Sequence, residues 1–301
     1  MLNRIFKLTL YFCLVLFIFS GCNDSSRNFD INRVKTFVDI PGITNEEIDA
    51  VKALKSSRQG FTLGATLSSE TFVKPDGANS GFSALLTEYF SGLFEIPFSI
   101  EIFNWDDALR GFENYDIDFL IELTATAERR QKYFMTAPIA ERALLVFVKE
   151  GNYEIKNVSD LDGLKIGFFD GTITEQSVIH TYPELNFQTV MINDVPNAAR
   201  MLQAKDVDAV IVDEPVDYEF SLHGNIIGLN LLPLVYTPVS FSTANPDLSI
   251  VIGVIDKFIT SGGLEKIHSL YTQGENEYAR FMFEWSLTDE EKNYIADLKE
   301  N

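Results

Sequence analysis

The chain has 301 residues, 46% of them hydrophobic and 13% aromatic, which excludes a disordered polypeptide and provides core for about two domains. A formal net charge of −20, from 24 basic and 44 acidic residues, repels phosphate backbones, and no basic patch or nucleic-acid motif stands against it. Nucleic acid is not expected as a partner, and the acidity otherwise speaks only for solubility.

Arg4 and Lys7 precede the apolar run LTLYFCLVLFIFS over residues 8–20, too short to span a bilayer and built like a signal-peptide core. Ser20 and Gly21 then lead into Cys22. This ending resembles a bacterial lipobox, in which the cysteine is lipidated and becomes the first mature residue; Phe19 stands where such signals usually carry Leu, Val or Ile. An ordinary secretory signal followed by a chance cysteine is the alternative. Cys13 lies inside the run and would leave with it, so no internal disulfide is expected. NDSSRNFDINR after Cys22 is polar enough to serve as a tether. The expectation is a lipoprotein signal peptide at 1–21, a tether and lead-in helix at 22–57, and an exported cell-membrane lipoprotein facing the extracytoplasmic side.

From Phe61 onward strand-like and helix-like patterns alternate. FTLGATL is strand-like, and GFSALLTEYFSGLF (81–94) has helical spacing, with Phe82, Leu85, Leu86, Tyr89 and Leu93 on one side. PFSIEIF is a second strand, WDDALRGFEN (105–114) a helix and IDFLIEL (117–123) a third strand. This order implies a parallel sheet with helices on its faces. After ERALLVFVKEGNY the order restarts: LKIGFFD (164–170), TITEQSVIHTY, FQTVMI (187–192), VPNAARMLQAK and VDAVIVD (207–213) read strand, helix, strand, helix, strand, with the two units joined near 147–153. TPVSFST then reads as a connecting strand, and LSIVIGVIDKFITSGGLEKIHSLY as two helices broken at Gly262 and Gly263. The fold class expected is α/β: a two-lobed clamp in which residues 58–147 plus 240–285 form lobe 1, 148–239 form lobe 2, two crossover strands make the hinge, and 286–301 form a helical tail. A ligand would sit where strand C-termini and helix N-termini converge between the lobes.

Three elements carry a family resemblance. A strand is followed by Thr126, two residues, Arg129 and then the MTAP segment of residues 135–138; KIGFFDGTITEQ is a strand–Gly-Thr–helix element; and KDVDAVIVDEP is an apolar strand ending in aspartate. In this order and spacing they resemble the bacterial extracellular solute-binding proteins of family 3, the polar amino-acid-binding group with the periplasmic-binding-protein fold, over roughly residues 58–285. The resemblance implies that Arg129 holds a ligand carboxylate, as a permanently charged guanidinium can do bidentately. Thr126 would add a hydroxyl or backbone N–H, Arg130 would be solvated, and the MTAP turn would lead to the hinge. Thr172, opening the helix after Gly171, would be a second carboxylate contact or a simple N-cap. Asp213 would take the ligand's ammonium or be an ordinary strand-end acid. Phe72 would stack on the ligand or belong to the core. Glu122 replaces the glycine usual in the family, and would either pair with Arg129 or hold the ligand's amine.

ITNEEIDAVKAL (43–54) and LTDEEKNYIADL (287–298) each pair a threonine with a glutamate three residues on, Thr44 with Glu47 and Thr288 with Glu291, as capping boxes. This lead-in resembles the stretch before solute-binding modules in bacterial membrane sensors. Two functions follow as expectations: delivery of an amino acid or related carboxylate to an ABC permease, or ligand sensing with a membrane kinase or diguanylate cyclase. An enzyme on the same fold is the third class. Against it, His180, His223 and His268 are scattered without metal spacing, and no nucleophile–base arrangement is legible, so neither cofactor nor metal is expected.

Overall fold

The computed structural model describes residues 31–300; the signal core, Cys22 and the start of the tether lie outside the described residues. Helix α1 (Asn45–Ser57) is opened by Thr44, whose Oγ1 accepts the Glu47 N–H at 3.3 Å while Glu47 accepts the Thr44 N–H at 2.7 Å. The capping box at Thr288 and Glu291 forms in the same way ahead of the last helix.

Lobe 1 begins with β1 (Phe61–Ala65), a ribbon of β2 (Phe72–Val73) and β3 (Asn79–Ser80), α2 (Phe82–Phe94), β4 (Phe98–Ile102), α3 (Trp105–Glu113) and β5 (Phe119–Leu123). A single turn, α4 (Arg129–Lys132), precedes β6 (Phe134–Lys149). Lobe 2 holds β7 (Lys165–Phe169), α5 (Thr174–Thr181), β8 (Gln188–Ile192), α6 (Val195–Ala204), β9 (Ala209–Asp213), α7 (Asp217–Ser221) and β10 (Ile226–Leu229). β11 (Tyr236–Thr243) returns to lobe 1, where α8 (Ser249–Phe258) and α9 (Leu264–Ser286) follow; α10 (Asp289–Glu300) ends the described chain.

The strands run in the order β4-β1-β5-β11-β6-β9-β7-β8, with β10 also paired to β6. Pairing is parallel within each lobe's core, β1 with β4 and β5, and β7 with β8 and β9. It is antiparallel where the lobes join. The 16-residue β6 belongs to both lobes: residues up to Ala143 pair with β11, and from Leu144 onward they pair with β9. Residues 135–138, read above as a turn, are therefore part of this strand, held extended by Met135 and Pro138 pairing with Ser242 and Ser240 of β11. The register shifts on both sides of Ser240, and the Ala137 N–H goes instead to Asp256 Oδ1 at 2.7 Å.

Phenylalanines fill lobe 1. Phe61, Phe90, Phe98, Phe119 and Phe241 contact one another ring to ring at 4.9–6.2 Å. Helix α2 buries more than the single stripe its spacing suggested, because Phe90 packs on Phe98 and Phe241 of the sheet and Phe94 on Phe98 and Phe37, while α9 crosses at Phe82. Phe82, Leu86 and Leu93 are buried as read, Phe90 and Phe94 are buried as well, and Leu85 and Tyr89 remain half-buried. The crossing is close at Gly274 of α9, where an added Cβ would lie 2.4 Å from the Phe82 nitrogen. The break between α8 and α9 falls at Gly262, whose φ of +102° is a conformation that glycine adopts readily.

Candidate ligand-binding site

A cleft between the lobes is lined from lobe 1 by Thr66, Asn104, Trp105, Glu122, Thr124 and Arg129, from the crossover strands by Arg142 and Thr237, and from lobe 2 by Phe169, Thr172, Ile173, Asp213 and Glu219, among others. It holds about 640 Å³ of empty space, its open mouth included.

At its base lies a buried ionic cluster. Arg142, one residue before the point where β6 passes between β11 and β9, is 5% exposed. Its Nε and Nη2 donate to the two carboxylate oxygens of Glu70 at 3.0 and 2.6 Å, and its Nη1 donates to Glu122 Oε2 at 2.6 Å. Asp213 Oδ2 lies 3.8 Å from the same Nη1. The Tyr271 hydroxyl of α9 donates to Glu70 at 3.0 Å, and the Thr237 hydroxyl donates to Asp213 Oδ1 at 2.5 Å. Thr66 donates to Glu122 through N–H and hydroxyl at 3.5 and 3.4 Å. One cation thus faces three carboxylates. Burial alone would lower the pKa of Arg142, yet Glu122 and Glu70 hold it well above the ordinary value. Burial pushes the Asp213 carboxyl up to about 6 despite Arg142 and Thr237.

Arg129 stands at the start of α4 and reaches across the cleft. Its Nη1 donates to the Thr124 carbonyl at 3.0 Å and its Nη2 to the Gly171 carbonyl of lobe 2 at 2.6 Å. Trp105 Nε1 donates to the neighbouring Asp170 carbonyl at 2.7 Å. The two bonds grip one turn of lobe 2, so the lobes are closed on each other. That turn brings Gly171, with φ of +72°, against Leu109, whose side chain would lie 2.7 Å from an added Cβ.

The structure places the sequence-read residues as follows. Arg129, Glu122, Thr172 and Asp213 all line the cleft. Thr126 is not among the lining residues; its Oγ1 accepts the Arg129 N–H at 3.1 Å and its own N–H donates to Thr124, so it braces the backbone at Arg129. Glu122 pairs with Arg142, not with Arg129. Thr172 does not open a helix: its N–H and hydroxyl both turn back to the Phe169 carbonyl, at 3.2 and 2.7 Å, and α5 begins at Thr174. The first turn of α5, whose N–H groups lack partners inside the helix, reaches the cleft at Ile173 and Thr174. Phe72 is a correction. It is fully buried away from the cleft, 4.7 Å from the Phe281 ring and 5.5 Å from that of Tyr278, because α9 folds over the β2–β3 ribbon. Arg130 is exposed yet not idle, since its guanidinium donates to the Met135 and Thr136 carbonyls at 2.8 and 3.0 Å and ties α4 to β6.

The sequence reading missed Arg142, Glu70, Trp105 and Glu219. A signal existed for the first: ERALLVFVK puts an arginine at the head of an apolar run, and Glu122 in place of glycine needed a cation. Glu219 of α7 is half-buried, and burial together with Asp194 pushes its carboxyl up to about 7. Asp213 and Glu219 therefore bind protons more tightly folded than unfolded, where their values are 3.8 and 4.5. Stability contributed by these two groups falls as pH rises from about 4 to about 7. The expected result is a Tm that drops more between pH 5 and pH 8 in the wild type than in a double Asp213→Asn, Glu219→Gln variant, read by scanning calorimetry in one buffer series.

Two α/β lobes on two crossover strands, closed over a cleft of convergent charged groups, define a solute-binding clamp. A sequence model of the bacterial extracellular solute-binding proteins, family 3, matches residues 64–274, and the chain belongs to that family. It is 28% identical over 145 residues to the L-cystine-binding protein TcyJ of Escherichia coli K12, an alignment covering 48% of this chain and 54% of TcyJ, so the chain spans about half the length of the curated relatives it matches. Among solved structures it resembles an ancestral arginine-binding protein bound to arginine, with 20% identity, TM-score 0.54, and coverage of 71% of this chain and 98% of that one. It also resembles the Bordetella pertussis BvgS periplasmic domain, with 14% identity, TM-score 0.63, and coverage of 82% of this chain and 49% of that one.

Proposed function

We propose that the protein captures a free amino acid between its lobes on the extracytoplasmic side of the cell membrane, is held there by lipid on Cys22, and delivers the ligand to an ABC transporter. The observation that carries the binding step is the placing of opposite charges in one cleft, with Arg129 on lobe 1 and Asp213 at the end of β9 on lobe 2. Arg129 has five N–H donors, and bonds to Thr124 and Gly171 engage two of them. The rest suit an α-carboxylate, with the Thr172 hydroxyl beside it. Asp213 accepts the α-ammonium, whose positive charge offsets the acid excess around Arg142. A ligand touching both lobes favours the closed form by its differential affinity for it. TcyJ and the ancestral arginine-binding protein carry amino acids in their names, which supports the ligand class.

The second reading, an input module acting with a membrane kinase or cyclase, has one observation in its favour. The likeness to the BvgS periplasmic domain takes in 82% of this chain, against 71% for the ancestral arginine-binding protein. The binding chemistry is common to both readings.

Thermal-shift measurements against the free amino acids and cystine test it. A ligand that binds only the folded state raises the melting point, by about 2.7 kcal/mol of stabilisation at a hundred times its Kd. The expected result is a clear rise for at least one amino acid; no rise for any of them, at concentrations up to 10 mM, overturns the reading.

A further inference from the structure

The charges in the cleft do not balance around a plain zwitterion. Arg142 is engaged by Glu70 and Glu122. With an amino acid bound as proposed above, its carboxylate takes Arg129 and its ammonium takes Asp213. Glu219 is left over. It lines the same cleft from α7 in lobe 2, beside Val216, with Val195 and Trp105 also in the lining. Among the described residues its carboxylate makes no hydrogen bond or ion pair, and the charge acting on it is the like charge of Asp194. Asp194 itself caps α6, accepting the Asn197 N–H at 2.7 Å. A half-buried carboxylate with no partner and an acidic neighbour weakens the fold at neutral pH, and a cation arriving in the cleft removes that penalty. The apolar side chains beside it suit the methylene stem that would carry such a cation.

We propose that the ligand is an amino acid with a second, side-chain cation, a guanidinium or an ammonium, received by Glu219 from lobe 2. This rests on the amino-acid reading above and adds the charge of the side chain to it. Glu219 then acts as the specificity-determining residue, because a neutral side chain of the same length leaves the carboxylate unpaired.

The test uses arginine and citrulline, which have nearly the same shape and differ in side-chain charge, with lysine and glutamine as a second pair, in titration calorimetry at pH 8. The wild type is expected to bind one of the cations at least tenfold more tightly than its neutral counterpart. Glu219→Gln is expected to bring the two members of that pair within threefold of each other, and Glu219→Asp to keep a cation preference. Removing a desolvated charge leaves the Tm of Glu219→Gln equal or higher at this pH, which separates lost specificity from misfolding. Equal binding of cationic and neutral ligands by the wild type, or a preference that survives Glu219→Gln, each overturns the proposal while the amino-acid reading stands. Binding of no amino acid overturns both.

Discussion

Arg129→Ala is expected to lower affinity for the amino acid giving the largest thermal shift by at least a hundredfold. The guanidinium bonds the Thr124 carbonyl on its own lobe and the Gly171 carbonyl on the other, so alanine removes a proposed ligand contact and one of the interlobe bonds together. Truncating one partner of a buried hydrogen-bonded charge pair costs on the order of 2–5 kcal/mol, much of it from the charge left unpaired. Arg129→Lys keeps the charge and loses the planar fork, so it recovers only part of the affinity. Titration calorimetry on the three proteins reads this directly. Affinity in Arg129→Ala within threefold of wild type would remove this arginine from the site. Because Arg129 is placed by the Thr126 hydroxyl, Thr126→Ala should show a smaller loss of the same kind.

Arg142→Met should instead damage the fold. Among the described residues the arginine is the single cation within reach of Glu70, Glu122 and Asp213, at 2.6, 2.6 and 3.8 Å. Methionine has similar bulk and leaves three carboxylates in a buried space with no counter-charge. Breaking a buried pair by removing one partner costs about 3–5 kcal/mol, a Tm drop of roughly 5–9 °C for a chain of this size. Combining Arg142→Met with Glu70→Gln should return part of the loss, since the two side chains share two hydrogen bonds. Calorimetry on the single and double variants measures the coupling, and simple additivity would mean that Arg142 matters by packing alone.

Much of the fold was legible because strands buried on both faces write themselves as unbroken apolar runs. IDFLIEL, LKIGFFD and VDAVIVD all became β-strands, trimmed at the ends. The break at Gly262 was readable because few other residues take its backbone conformation easily. Less legible were features set by distant parts of the chain. Phe72 looks like any aromatic in a loop until α9 arrives some 200 positions later to cover it. The extended course of residues 135–138 depends on β11, which no local pattern announces. In the cleft, Arg129 and Asp213 were reached through the family resemblance, whereas Arg142 drew meaning only from Glu70 and Glu122, residues 72 and 20 positions away. Glu122 sharpened the question without answering it, because a carboxylate in sequence does not name its cation.

The shared strand has a mechanical consequence. Since β6 is hydrogen-bonded to β11 on one side of Ala143 and to β9 on the other, the lobes are joined by a continuous ribbon and not by slack loops. Parting them would break the bonds of Trp105 and Arg129 to the turn at Asp170 and Gly171, the Ser69 N–H bond to the Pro215 carbonyl and the packing of Tyr218 on Phe281, while the ribbon itself deforms by twisting. A twisted ribbon behaves as a torsion spring with its stiffest charge contacts at the pivot. An opening that rotates one lobe on the other would be resisted by the sheet itself, with the Arg142 cluster at the crossover.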